Sequence, residues 1–289
     1  MYKRQTYSFS DQLRLISGLR YIDDEVESCV KNFFTTVCDN LSSSSDETTG
    51  KIAVEYDFNG STMGYASYTI GSKPGGTNLT YGFSTREELD AAFRFTSPVV
   101  TPMVFRAFES ENLESLEFGL KSDFFNGKAR ANIAVFSYDY ENLQFQATDP
   151  DPYRGGVANI PNSEMDGVEI EFTALLGDSI TFDMNLGFID TEVTSEYEVL
   201  DNVLAYQYFL DEEQERYDLR EDVKGNMLAK TPEFTADATL TYEGELASGN
   251  PINVILQFIR RGEFMQRVSN NPFVDTVPCL LYTSPSPRD

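Results

Sequence analysis

From Val168 to Ala174 the apolar residues fall on alternate positions: Val168, Ile170, Phe172 and Ala174, separated by Glu169, Glu171 and Thr173. Gly177 and Asp178 interrupt the pattern. It then resumes as Ile180, Phe182, Met184, Leu186 and Phe188 against Thr181, Asp183, Asn185 and Gly187. A period of two is a β-strand with one apolar and one polar face. Gly-Asp between two such runs predicts a tight hairpin. Each strand is about ten residues long, the length a tilted strand needs to cross a bilayer. A soluble sheet shows the same pattern, so the rest of the chain must decide.

The rest of the chain repeats it. The alternation predicts strands over Gln12–Tyr21, Lys51–Phe58, Thr62–Ile70, Ser115–Phe124, Lys128–Gln146, Phe234–Tyr242 and Ile252–Arg260. With the opening hairpin that makes about nine. Asn59-Gly60, Asn126-Gly127, Gly177-Asp178 and Glu245–Asn250 mark short turns. Between them lie long polar connections: Asp23–Gly50, Gly71–Leu113, Asp149–Ser163 and Thr191–Lys230. Ser84-Thr85-Arg86-Glu87 reads as a capping box for a short helix to Arg94. Asp211–Val223 is charged enough for a solvated helix. Short and long connections alternate strictly. In an up-and-down antiparallel sheet this puts every short turn on one edge and every long loop on the other. Outer-membrane barrels separate their loops in this way. The apolar faces must leave water for a core or for lipid. The opposite face carries Glu117, Lys121, Glu169, Glu171, Asp183, Asn185 and Asp237, which suit a wet lumen.

Composition narrows the choice. Met1–Gln5 and Cys279–Asp289 read as in-frame translations of a sequencing-library adapter, and the fold reading sets them aside. The remaining chain is then expected to be an internal piece of a longer protein, with an open sheet. Without Lys3, Arg4, Arg288 and Asp289, the 22 basic and 47 acidic residues become 19 and 46, a net charge of −27. That excess argues against a nucleic-acid partner, whose phosphates need a basic surface. No apolar run reaches the 18 or so residues of a membrane helix. The chain has no histidine and no CxxC, which removes His-based triads and most zinc sites. Neither a metal site nor a cofactor is expected. Glu169, Glu171 and Asp183 lack an accompanying nucleophile, so no catalytic group and no enzyme are expected. Cys29 and Cys38 are two free thiols in a reducing compartment or one small closed loop in an oxidising one.

Five segments, in order, resemble the barrel of a TonB-dependent outer-membrane receptor of the iron-complex type. They are Leu15–Tyr21 (LISGLRY), Tyr65–Asn78 (YASYTIGSKPGGTN), Leu116–Gly127 (LEFGLKSDFFNG), Phe136–Gln144 (FSYDYENLQ) and Gly167–Phe172 (GVEIEF). The resemblance runs from about Phe9 to Arg261. It implies an all-β transmembrane barrel of about 22 strands, of which this chain is an incomplete, open portion. The signal peptide, TonB-contacting box and plug would lie upstream. Tryptophan, usual in the aromatic girdle, is absent, and tyrosine and phenylalanine replace it. The implied function is active uptake of a ferric siderophore or similar large scarce ligand, energised by TonB, in a Gram-negative outer membrane. The implied partners are outer-membrane lipid, the ligand and TonB. The resemblance also places Cys29 and Cys38 in an outside loop, where a disulfide is expected. Tyr81, Phe83, Tyr206, Tyr208, Arg216, Tyr217 and Arg220 are candidates for gripping an anionic aryl chelate by stacking and charge pairing. The alternatives are a soluble secreted sugar-binding sandwich and a diffusion porin.

Overall fold

The computed structural model describes residues 2–31, 38–78, 107–150, 153–201 and 220–287. Eleven strands form one antiparallel sheet in strict chain order. They are β1 Tyr2–Ser8, β2 Leu13–Lys31, β3 Cys38–Asn59, β4 Thr62–Lys73, β5 Glu111–Phe124, β6 Ala129–Pro150, β7 Tyr153–Leu176, β8 Ile180–Val193, β9 Phe234–Glu245, β10 Pro251–Arg261 and β11 Leu280–Pro287. β1 and β11 do not pair with each other, so the sheet is open.

The registers line the apolar residues up across the sheet. One row runs Leu15, Val54, Ala66, Phe118, Val135, Val168, Phe188 and Phe234 through eight consecutive strands. This face is exposed. Ile52, Val54, Tyr56 and Phe58 are each 40–57 % accessible, while Ala53, pointing the other way, is 5 % accessible. Leu116, Phe118, Leu120, Ile133, Val135, Phe188, Leu256 and Phe258 continue the exposed face. Burying one such side chain is worth about 1.5–3 kcal/mol. A belt of this length left in water is a deficit no polar face offsets, and hydrocarbon removes it. The sandwich alternative needs two apolar faces stacked together, and the described sheet has a single layer.

The long connections all fall on one edge, as the alternation requires. On the other edge lie residues 9–12, 60–61, 125–128, 177–179 and 246–250. Asn126-Gly127 forms the middle of a four-residue turn rather than a two-residue one. Phe125, Asn126 and Gly127 all take positive φ, at 53°, 59° and 82°.

Three expectations need correction. First, Asp23–Gly50 and Asp149–Ser163 are not loops; β2–β3 pair as far as Lys31 with Cys38, and β6–β7 as far as Pro150 with Tyr153. Beyond the lipid neither face meets hydrocarbon, so the alternation that a bilayer imposes is absent. Second, the sheet has eleven strands rather than nine, because Tyr2–Gln5 and Leu280–Pro287 pair onto its edges. An open edge presents unpaired N–H and C=O groups, and an extended segment satisfies them. Third, Arg220–Asp222, the described end of the expected Asp211–Val223 helix, is a short strand against Glu198–Leu200. The helix over 85–94 lies outside the described residues.

Glycines on the polar face make room for aromatic rings. A Cβ on Gly119 would overlap the ring of Tyr65, and one on Gly167 would overlap Phe136. Each pair sits directly across two strands, Tyr65 with Gly119 and Phe136 with Gly167. Gly119→Val should therefore destabilise the barrel by about 1–3 kcal/mol, the cost of overpacking. Heat-modifiable gel migration would show it as a lower midpoint, and an unchanged midpoint would show that the ring moves freely.

Candidate ligand site at the loop-bearing rim

The β6–β7 hairpin stands above the apolar belt and divides the rim. It bends at Asn142, φ 56°, opposite Pro161, which has no N–H to give the ladder. Above the bend its two faces carry different chemistry. Gln144 and Asn159 are directly paired and face the stem of the second long loop. Gln144 Nε2 donates to the carbonyls of Pro74 (2.9 Å) and Glu109 (3.1 Å), and Asn159 Nδ2 donates to that of Glu109 (3.0 Å). Asn78 closes the stem with a reciprocal pair of hydrogen bonds to the Val157 backbone, at 2.8 and 2.9 Å. The other face carries Leu143 with Ile160 and Phe145 with Ala158. These pack with Met165, Val193, Val199, Val223, Leu228 and Val268 into a small core. Met165 and Val193 belong to the polar-face series of β7 and β8. The core therefore lies on the polar side of the sheet.

A polar network ties two loops over this core. Asp275 is fully buried and accepts hydrogen bonds from Arg267 Nε (2.6 Å), Ser269 Oγ (2.6 Å) and the Asn271 N–H (3.0 Å). Asn270 exchanges hydrogen bonds with the Met227 backbone, at 3.0 and 2.9 Å. Asn226 Nδ2 donates to the Val268 and Ser269 carbonyls. Asn271 Nδ2 donates to Asp201 at 2.7 Å. Burial first, then the Asp201 carboxylate, pushes the Glu221 carboxyl above its ordinary range. The Tyr197 and Lys224 N–H groups hold Asp222 below its own. Residues 226–228 and 266–275 thus form one platform.

Beside the platform is a cavity of about 580 Å³. Leu143, Phe145, Met165, Val199, Leu200 and Leu228 give it an apolar side; Tyr140, Gln146, Lys230, Thr231, Gln266 and Arg267 supply polar groups. Its size falls within the range of small-molecule sites, about 300–1,000 Å³.

Tyr81, Phe83, Tyr206, Tyr208, Arg216 and Tyr217 lie outside the described residues. Arg220 lies in the short strand opposite Leu200, with Nε and Nη2 buried. Sequence reading missed the cavity residues and the 264–277 loop. Cys29 is disulfide-bonded and Cys279 is free.

Glu117, Lys121, Glu169, Glu171, Asp183, Asn185 and Asp237 all fall on the face opposite the apolar rows. Most are held by cross-strand neighbours. Tyr65 Oη donates to Glu117 at 2.5 Å, and the Lys121 ammonium lies 5.6 Å from the centre of the same ring. Asn132 donates to Glu171 (2.9 Å), Thr173 to Asp183 (2.7 Å) and Gln257 to Asp237 (3.1 Å). Arg14 bridges Glu55 and Asp57. The wall is polar, hydrogen-bonded and carries both signs of charge.

The family model for the TonB dependent receptor-like β-barrel matches residues 2–285. A probable TonB-dependent siderophore receptor, PiuA of Acinetobacter baumannii, is 25 % identical over 130 residues, 45 % of this chain and 15 % of that protein. The crystal structure of PiuA superposes with a TM-score of 0.68 at 17 % identity, covering 98 % of this chain and 35 % of PiuA. The ferric yersiniabactin uptake receptor FyuA of Yersinia pestis gives 0.69 at 15 % identity, over 98 % and 36 % of the two chains. The copper transporter OprC gives 0.64 at 14 %, over 98 % and 38 %. The chain spans 35–38 % of the length of these solved proteins. Identities this low speak for the fold alone, whereas the family match spans nearly every residue. It also displaces the diffusion-porin alternative. The chain belongs to the TonB-dependent receptors, and forms part of the β-barrel wall that these proteins build in the Gram-negative outer membrane.

Proposed function

We propose that this wall serves the uptake of a ferric siderophore or similar large, scarce chelate, energised by TonB through parts of the receptor beyond this chain. The observation that supports it best is the rim cavity, which lies on the polar side of the sheet among the long loops. In this reading Glu117, Lys121, Glu169, Glu171, Asp183, Asn185 and Asp237 face a wet lumen. Tyr81, Phe83, Tyr206, Tyr208, Arg216, Tyr217 and Arg220 belong to the loops that meet the ligand. PiuA, a siderophore receptor, and FyuA, a ferric yersiniabactin uptake receptor, share the fold.

The test is accumulation of radiolabelled iron by iron-starved cells supplied with chelates of several classes. The receptor should restore uptake of at least one, and loss of TonB should abolish it. Alanine at Arg216 and Arg220 together should weaken whole-cell binding by about 2 kcal/mol or more. Binding unchanged in that double variant would remove these arginines from the site. Uptake that persists without TonB would remove the energised mechanism. OprC makes a copper chelate the second reading, and competition by copper complexes in the same assay separates the two.

Pairing of Cys29 with Cys38 is part of the proposal. It would close the tip of the β2–β3 hairpin, where Cys29 lies opposite Asn40 and Lys31 opposite Cys38. Closing a loop this short stabilises by about 2–3 kcal/mol. Cys29→Ser should make the tip a protease site without loss of the barrel. Equal cleavage of both forms would count against a stapling role.

A further inference from the structure

Lys230 stands at the exposed edge of the rim cavity with φ 62°, in the left-handed region that disfavours a side chain with a Cβ. A hydrogen bond from its own N–H to the Met265 carbonyl, 2.6 Å, holds it there. A strained non-glycine residue beside a cavity is a functional lead. The second cation at the cavity, Arg267, is engaged by Asp275 at 2.6 Å. Lys230 has no ion-pair partner among the described residues. The chain around it carries a net charge of −25, so an anion approaching this rim meets a repulsive field broken locally by Lys230. Behind the lysine the cavity turns apolar. Val199, Leu200 and Leu228 are at most 8 % exposed, with Leu143, Phe145 and Met165 beside them.

We propose that this cavity seats the apolar arm, acyl or aryl, of an amphiphilic anionic metal chelate, whose charged head rests on Lys230. The proposal rests on the uptake reading and narrows its substrate class. A wholly hydrophilic chelate has no use for the apolar side. An uncharged lipid has no use for the lysine.

Two ferric tris-catecholate complexes, both net anionic and differing only in an octanoyl chain, test it, by competition binding to iron-starved cells that carry the whole receptor. The acylated complex should bind at least tenfold more tightly. Tenfold is about 1.4 kcal/mol, which two buried methylenes already supply. Leu228→Trp, which fills the cavity, should erase the difference between the two complexes. Lys230→Gln should weaken the acylated complex at least threefold, and it tests the head site should Leu228→Trp fail to fold. Equal affinity of the two complexes for the unaltered receptor would overturn the proposal while leaving uptake intact. An acyl advantage that survives Leu228→Trp in a folded receptor would assign the chain to the membrane or to another part of the receptor. Unchanged binding in Lys230→Gln would remove the anionic head. Failure to bind or import either complex, or any other chelate, would sink the uptake reading itself.

Discussion

A receptor carrying Phe118→Arg is expected to insert poorly and to lose most of its heat-modifiable band. Phe118 is 54 % exposed in the middle of the apolar row, flanked across strands by Ala66 and Val135. A cation on the lipid face near the bilayer midplane costs about 2–4 kcal/mol. The matched control is Asn185→Lys, on the opposite face beside Glu171. It adds the same charge where water and carboxylates receive it, and should fold as well as the parent. If the two variants behaved alike, the distinction between the faces would be lost.

Asp275→Ala should have the second-largest effect, confined to the rim. The Asp275 carboxylate lies at 0 % exposure and receives three donors, from Arg267, Ser269 and the Asn271 backbone. Truncation leaves all three without an acceptor, at a cost of about 3 kcal/mol. The expected result is rapid proteolysis within 264–277 and weakened chelate binding, with the barrel band intact. Asp275→Asn keeps the shape and should lose about half as much. Loss of the whole barrel would mean that the platform supports the wall rather than the reverse. Unaltered proteolysis would mean that the network contributes little.

The membrane-spanning parts were legible in the sequence because lipid on one side and water on the other impose a period of two. Ile52 to Phe58 and Val168 to Phe188 show it directly. The same signal fails where that asymmetry ends. Ser42–Ser45 lies inside β3, yet a run of serines has no apolar period to read. The two ends, Tyr2–Ser8 and Leu280–Pro287, pair onto the sheet although neither carries a clean apolar alternation. The rim site was illegible for another reason: its parts are distant in sequence. Asn271 meets Asp201 across 70 positions, and Asn226 meets Val268 across 42. Asn270-Asn271-Pro272 is the one local turn signal in this segment, and it lies beyond Arg260, where the strand alternation ends.

Spin labels placed one at a time along β5 and β6, from position 115 to 120 and from 132 to 137, would report what each residue touches. In the reconstituted receptor, labels at 116, 118, 120, 133, 135 and 137 should be accessible to oxygen in the bilayer and shielded from a water-soluble nickel chelate. Labels at 115, 117, 119, 132, 134 and 136 should show the opposite preference. Equal accessibility along the whole series, or the two sets reversed, would contradict a wall with hydrocarbon on one side and water on the other.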